Sequence, residues 1–382
     1  MRTANMIAIL ALAVPTAVKA QEPEAATPPP AAEAEPAPAE PAPAPVPAPA
    51  PAIASPAPAP VEPAPPVPAE PAPPSDAPVI AYEALVDTYY LYNFTGDPST
   101  QGPALRQYDT NANSFTLNYA KLGLQADFEK VAARVDVGYG LVGAGFFVQQ
   151  AFGTAKFSDV VSLDAGKFVT HAGGEVIETN KNWLYSRSLL FFGIPLYHTG
   201  LRLNLTLGSG LTAMLSVVNG WNNDPDDNEG KTFGANVTYA ADGVTAAATT
   251  YIGKEGEASD YRMLFDGVFA IDLSEQLSLA ANVDFLKEGD GHWFGASVMA
   301  KASLTEELTL ALRGEFLKDK NIYLPAEESV YEGTGMIGYT WGGHYEIRAE
   351  VRADLSSGEV FMKGATPRKN QVTGLLGFLA YL

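Results

Sequence analysis

The sequence predicts an all-β fold: a transmembrane antiparallel up-and-down β-barrel of about sixteen strands, within a range of roughly fourteen to eighteen. The first observation is residues 344–355, where odd positions are apolar and even positions are polar or charged. Successive side chains of a strand point to opposite faces, so one face would contact lipid and the other water. The second is that this alternation recurs through residues 79–382. The third is that no run reaches the roughly 18 apolar residues of a membrane helix.

Residues 1–20 are predicted to be a secretion signal peptide. Arg2 precedes an apolar stretch at residues 6–18, and small or apolar residues stand just before position 21. Such a signal favours the outer membrane of a Gram-negative bacterium, where outer-membrane lipid and the barrel assembly machinery would be partners.

Residues 21–78 are predicted to be a disordered periplasmic linker. The segment holds 23 of the 30 prolines of the chain, with eight acidic residues and no basic residue. Proline fixes φ and lacks an N–H donor, so an extended spacer is expected here in place of a helix or sheet. It could be a free tail or a tether that binds peptidoglycan; residues 79–382 would form the barrel.

Composition excludes several classes of function. The chain has no cysteine, so no disulfide framework holds it, and its formal charge of −20 argues against nucleic acid as a partner. Its four histidines stand singly, without the spacing of metal ligands. No catalytic cluster stands out either, so we expect no cofactor, no metal and no enzymatic activity.

The alternation and the turn residues set the strand boundaries. The predicted strands are 79–94, 114–128, 131–141, 146–157, 160–169, 199–208, 211–220, 231–240, 244–253, 261–273, 277–287, 292–304, 308–318, 329–340, 344–355 and 370–382. Short turns follow the even strands and most longer loops follow the odd ones; the link between strands three and four is the short exception. Outer-membrane barrels have short periplasmic turns and longer extracellular loops, so both termini are expected in the periplasm.

A barrel of about sixteen strands leaves an aqueous channel, whose wall the polar positions would line. The charged wall positions are Arg134, Asp136, Arg202, Arg313, Glu315, Arg348, Glu350 and Arg352. They could set the ion preference of a pore. Each could instead pair with a cross-strand neighbour and brace the wall.

The connection at residues 170–198 is long, apolar and aromatic, which is unusual for a loop in water. Folded into the lumen it would narrow the pore, and Glu175, Glu178, Lys181 and Arg187 would line the constriction. The alternative is an extracellular lid packed on the rim of the barrel.

Short motifs around this connection resemble one known family. They are Gly166-Lys167-Phe168, Gly174-Glu175, Asn182, Ser186-Arg187-Ser188, Pro195, His198-Thr199-Gly200 and Val218-Asn219-Gly220-Trp221. The pattern resembles the OmpL-like putative β-barrel porin family over roughly residues 80–382, which implies an outer-membrane barrel of porin type. One departure is the C-terminus, which ends Tyr381-Leu382 where such barrels commonly end in an aromatic residue.

We therefore expect a porin that lets small hydrophilic solutes or ions diffuse passively, as a monomer or a homo-oligomer. The net acidity suggests a mild preference for cations. Two alternatives stay open: a structural barrel that anchors the outer membrane to the cell wall through residues 21–78, and a barrel enzyme at the outer surface.

Overall fold

The structure is a computed structural model that describes residues 77–96, 102–256, 260–324 and 326–382. The predicted signal peptide and the predicted linker up to residue 76 lie outside these residues. The strands are β1 (Val79–Asn93), β2 (Ser114–Asp127), β3 (Val131–Gly140), β4 (Gly145–Lys156), β5 (Val161–Val169), β6 (Tyr197–Gly208), β7 (Leu211–Val218), β8 (Thr232–Ala241), β9 (Val244–Lys254), β10 (Tyr261–Asp272), β11 (Leu277–Glu288), β12 (Gly291–Ser303), β13 (Leu308–Lys320), β14 (Glu327–Trp341), β15 (Tyr345–Ser356), β16 (Phe361–Lys363), β17 (Thr366–Arg368) and β18 (Asn370–Tyr381). One helix, α1 (Leu189–Phe192), and two 3-10 turns, Leu141–Gly143 and Thr179–Lys181, complete the described elements. None of the described helices is long and apolar enough to cross a membrane.

Within the described residues, β1–β15 and β18 form one closed antiparallel barrel in which every strand pairs with its neighbours along the chain. The last strand closes it on the first, with Leu85 opposite Tyr381 and Asn93 opposite Thr373. The prediction of about sixteen strands is confirmed, with boundaries that differ by one or two residues. The hairpin β16–β17 was not predicted, because its strands are three residues long and show no alternation.

The two ends of the barrel differ. The links after the even-numbered strands from β2 to β14 are short and lie at one end of the barrel, the turn end, where β1 begins and β18 ends. Longer connections such as residues 170–196 and 219–231 lie at the opposite end, the loop end. The predicted asymmetry is confirmed, with one addition. β11 and β12 are joined at the loop end by residues 289–290 alone, where Gly289 has a φ of 54° that suits a tight turn.

The two faces of the wall separate as the alternation predicted. On β15, Ile347 and Val351 are about half exposed on the outer face, whereas Arg348, Glu350 and Arg352 are buried on the inner face. The outer face thus presents apolar side chains to lipid, and the polar and charged residues point into the lumen.

We predict that Val351→Lys destabilises the barrel by about 2–4 kcal/mol, because it places a charge near the middle of the lipid-facing band. Urea unfolding of the purified chain in lipid vesicles measures the change. Gln276→Lys, in an exposed turn after β10, is the matched control and should leave stability unchanged. Equal effects of the two substitutions would contradict a lipid-facing outer surface.

Candidate solute pathway in the lumen

Residues 170–196, here called the lumen loop, leave the end of β5 and fold into the barrel. The loop contains the 3-10 turn and α1, whose first turn is capped because the Ser188 hydroxyl accepts a hydrogen bond from the N–H of Phe191 at 2.9 Å. Leu190 and Phe191 are buried against inner-wall residues that include Trp293 of β12. The apolar stretch that made this loop unusual in the sequence therefore forms the core of the lumen.

Charged side chains of β13 and β15 bind the backbone of the lumen loop. Arg313 donates to the carbonyl of Ser186 at 2.8 Å, and Arg352 donates to the carbonyl of Arg187 at 2.7 Å. Glu350 accepts from the N–H of Tyr185 at 2.8 Å. Buried peptide groups without partners are costly, so these contacts replace the water that the loop loses on entering the barrel.

Two more wall residues extend this contact. One nitrogen of Arg348 lies 3.0–3.1 Å from three loop carbonyls, those of Thr179, Asn182 and Leu184. Glu315 accepts from the N–H of Leu189 at 2.9 Å. The inner wall of β13–β15 therefore supplies both donors to loop carbonyls and acceptors for loop N–H groups.

The opposite wall, formed by β1–β4, binds the loop with the help of two β-bulges. The register shifts between Asp87 and Thr88 and again between Asp136 and Val137, and each shift turns an extra polar residue inward. The extra residues are Asn118 on β2 and Gln149 on β4.

Both extra residues are used. Asn118 donates to Asp87 at 2.8 Å, and Asp87 also accepts from the hydroxyls of Thr179 and Tyr185, each at 2.6 Å. Gln149 donates to Glu178 at 3.0 Å. The bulges thereby tie β1, β2 and β4 to the lumen loop.

Wall glycines make room for loop side chains. A Cβ at Gly377 of β18 would lie 2.3 Å from the ring of Tyr185, and one at Gly295 of β12 would lie 2.9 Å from Leu190. A larger residue would collide with the ring of Tyr185 at the first position and would require the side chain of Leu190 to move at the second. The packing of the loop in the lumen therefore depends on missing side chains as well as on hydrogen bonds.

The four predicted constriction residues all lie on the lumen loop, but they differ in burial and in their partners. Glu175 pairs with Arg313 at 3.0 Å, and Arg187 is buried with its guanidinium against carbonyls of the loop itself. Glu178 forms an ion pair with Lys121 of β2. Lys181 is the most exposed of the four, with a side chain 45% accessible, and it pairs with Glu83 of β1 at 3.1 Å.

Glu178 is the carboxylate of the lumen loop that binds Lys121 of β2 and Gln149 of β4. Burial would raise the pKa of its carboxyl, but the charge of Lys121 and the hydrogen bond from Gln149 oppose this and lower the pKa below its usual value. The carboxylate is therefore ionised at neutral pH.

The predicted wall residues fall into two groups, all on the inner face. Those of β13 and β15 lie beneath the lumen loop, as described above. Those of β3 and β6 form pairs on the opposite side: Arg134 with Asp136 of the same strand at 3.0 Å, and Arg202 with Asp164 across the β5–β6 pair at 2.7 Å. Cross-strand bracing and loop binding therefore both occur.

A second segment in the lumen was missed by the sequence reading. Residues 102–113 also turn inward: Arg106 donates to Thr373 at 2.9 Å and pairs with Asp109, and the ring of Tyr108 packs edge-on against Phe191. Its polar composition gave no signal of burial.

A cavity of about 370 Å³ remains between the lumen loop and the wall of β2–β6. Arg134, Gln150 and Phe152 line it from the wall, and Ile177 and Lys181 from the loop. Its lining combines charged and amide side chains with apolar ones. In the part of the chain that the structure describes, no three His, Asp or Glu side chains are placed to hold a metal ion.

A family model described as Putative beta-barrel porin-2, OmpL-like, matches residues 80–381. The chain belongs to this family, which makes it a β-barrel porin of the outer membrane. No curated protein matches the chain.

Solved porin structures share the fold. The anion-selective porin from Comamonas acidovorans is 12% identical over 80% of this chain and 100% of its own, with a TM-score of 0.59. The outer membrane channel DcaP of Acinetobacter baumannii is 13% identical over 80% and 98%, with a TM-score of 0.58. The trimer form of OmpT from Vibrio cholerae is 11% identical over 80% and 100%, with a TM-score of 0.56. At these identities the likeness establishes the fold alone.

We predict that Arg348→Met loosens the lumen loop, because three carbonyls lose their donor and each unsatisfied buried group costs about 1–3 kcal/mol. Hydrogen exchange followed by mass spectrometry should show faster exchange in peptides covering residues 176–188, with peptides from β12 unchanged. Arg368→Met, at an exposed position of β17, is the matched control. Unchanged exchange in the loop would mean that its position does not depend on the wall charges.

Proposed function

We propose that the protein is a porin for passive diffusion of small hydrophilic solutes or ions, and that the lumen loop narrows its channel. The single observation that carries the proposal is the cavity beside the inward-folded loop, whose wall bears charged and amide side chains. A polar wall replaces part of the hydration of a passing solute, and close approach of the two sides restricts its size. The process involves no turnover, and we propose no cofactor and no enzymatic activity.

The constriction that we propose is formed on one side by the lumen loop and on the other by β3–β6. Lys181 is the accessible member of the predicted constriction set, and Glu175 and Glu178 contribute from beneath it through their ion pairs. Arg187 acts from within the loop, where it holds carbonyls of residues 176 and 177. Arg134 and Arg202 would contact solute on the wall side, and buried Asp136 would hold Arg134 in place through their ion pair.

Processing and orientation are part of the proposal. Residues 1–20 would direct export in a Gram-negative bacterium, and residues 21–78 would extend into the periplasm from the turn end, where β1 begins. The barrel assembly machinery would insert the chain. Because the OmpT neighbour is a trimer, a homo-oligomer is the assembly that we would test first.

Conductance tests the proposed function. We expect the purified chain in a planar lipid bilayer to give stable, ohmic single-channel steps in potassium chloride, because water and ions would fill the space beside the loop. A folded, inserted barrel that gives no steps would contradict diffusion through the lumen.

We predict that Lys181→Cys makes the conductance sensitive to a thiol-reactive sulfonate. The chain has no cysteine of its own, so the reagent would act at this position alone, adding bulk and negative charge where the channel is narrow. Single-channel steps should shrink after treatment. Lys363→Cys, exposed on β16, is the control: it should react without changing the steps, and a matching change there would remove the case for a constriction at Lys181.

The alternative function is a structural anchor, with residues 21–78 bound to peptidoglycan. Two observations favour this alternative: the composition of residues 21–78, and the position of β1, which follows them and begins at the turn end. Co-sedimentation of the purified chain with peptidoglycan, lost when residues 21–78 are removed, together with absence of conductance, would favour the anchor over the pore.

A further inference from the structure

The charges that line the 370 Å³ cavity are unevenly presented. Three cationic side chains and two acidic ones reach it: Arg134, Lys181, Arg202, Glu175 and Glu178. The side chains of the two acids are only 7% and 9% accessible, whereas those of Arg202, Arg134 and Lys181 are 11%, 23% and 45% accessible. Glu83, which pairs with Lys181 at 3.1 Å and lies 3.5 Å from Arg134, is outside the lining of the cavity. A solute in the cavity therefore meets positive charge first, although the chain as a whole is acidic.

The two acids are also already bound. Glu175 accepts from the N–H of Ser188 at 2.8 Å and pairs with Arg313. Glu178 pairs with Lys121 and accepts from Gln149. The cations that pair with these two acids lie on the side of the packed loop, away from the cavity. Little of the negative charge is therefore directed into the cavity.

Both wall arginines are held in place and keep free donors. Arg134 directs its Nε and one terminal nitrogen, Nη2, to Asp136 at 3.0–3.2 Å, and the same Nη2 lies 3.5 Å from Glu83. Arg202 does the same with Asp164, at 2.8 and 2.7 Å. Among the described contacts neither guanidinium uses its other terminal nitrogen, Nη1. A guanidinium fixed by one carboxylate is preorganised to donate to a second one.

An apolar surface adjoins these cations. Phe152 stands directly across the strand pair from Arg134, and its ring centre lies 5.3 Å from the guanidinium carbon of Arg202. On the other side of the cavity the loop contributes Ile177 and Phe191. Such a cavity, largely apolar with a few convergent charged groups, is the usual form of a small-molecule site and differs from a uniformly polar channel wall.

We propose that this cavity binds small organic anions with an apolar body, of the class of aromatic and branched aliphatic monocarboxylates. The carboxylate would accept hydrogen bonds from Arg134 and Arg202 with Lys181 nearby, and the body would lie between Phe152 and the apolar side chains of the loop. The inference rests on the proposed porin function and narrows it to one solute class. It differs from the cation preference expected from net charge, because net charge counts the buried, paired acids.

Benzoate is the probe, with benzyl alcohol as its uncharged analogue and acetate as the anion without a ring. In single-channel recordings, benzoate should block the potassium chloride current at millimolar concentration. Benzyl alcohol should not block, and acetate should require about tenfold more, since one lost set of contacts is commonly worth a factor of about ten. Equal block by acetate and benzoate would overturn the apolar half of the site, and equal block by benzyl alcohol would overturn the charged half.

Arg134→Gln should weaken block by benzoate about tenfold, since it removes a charge-assisted contact. Asp136 keeps Lys121 at 3.1 Å and Gln150 at 2.8 Å, so the variant retains partners for the carboxylate that it exposes. Arg368→Gln makes the same change of charge on β17, outside the lumen, and should leave block unchanged.

A double variant removes the contribution of net charge. Asp164→Asn with Arg202→Gln deletes both members of one wall pair, so the net charge is the same as that of the parent and no carboxylate is left unpaired. A similar loss of block here would locate binding at the guanidinium. Unchanged block in both the Arg134 variant and the double variant would overturn the site.

Calorimetric titration of the detergent-solubilised chain with benzoate separates this inference from the proposed function. Absence of channel steps with saturable heat of binding would contradict the pore and keep the site. Normal steps with neither block nor heat would keep the pore and overturn the site.

Discussion

The hydrogen bonds between charged wall residues and the backbone of the lumen loop are the interaction on which the rest of the structure depends. A loop that enters a barrel removes its peptide groups from water, and each needs a new partner. Arg313, Arg348 and Arg352 donate to loop carbonyls, while Glu315 and Glu350 accept from loop N–H groups. The dependence is mutual, because the loop gives these buried charges the polar neighbours that water would otherwise supply.

This contact divides the lumen into two unlike halves. Beneath the loop, on β13–β15, the arginines are buried and their donors are used by backbone carbonyls. On β3 and β6, Arg134 is bound by Asp136 and Glu83 and Arg202 by Asp164, and both arginines reach the remaining cavity. The same residue type is therefore structural on one wall and available to a solute on the other, and only the placement of the loop decides which.

The strands could be predicted from the sequence because alternation is a local property, and β15 shows it without interruption. The bulges at Asn118 and Gln149 could not, since one inserted residue changes which face a side chain occupies without changing the composition. The apolar character of residues 170–198 indicated burial, but their partners on β13 and β15 lie more than a hundred residues away along the chain, as with Arg348 and Thr179. The inward turn of residues 102–113 has the same long-range origin.

Strand number fixes only the largest channel that this barrel could have. The space left for a solute depends on how deeply the loop enters, and that depth depends on small wall residues such as Gly377, which accepts the ring of Tyr185, and Gly295, which accepts Leu190. Side-chain size at a few inner positions can therefore change the width of the passage while the hydrogen-bonded barrel stays the same. Barrels with the same number of strands can therefore contain channels that admit solutes of quite different sizes.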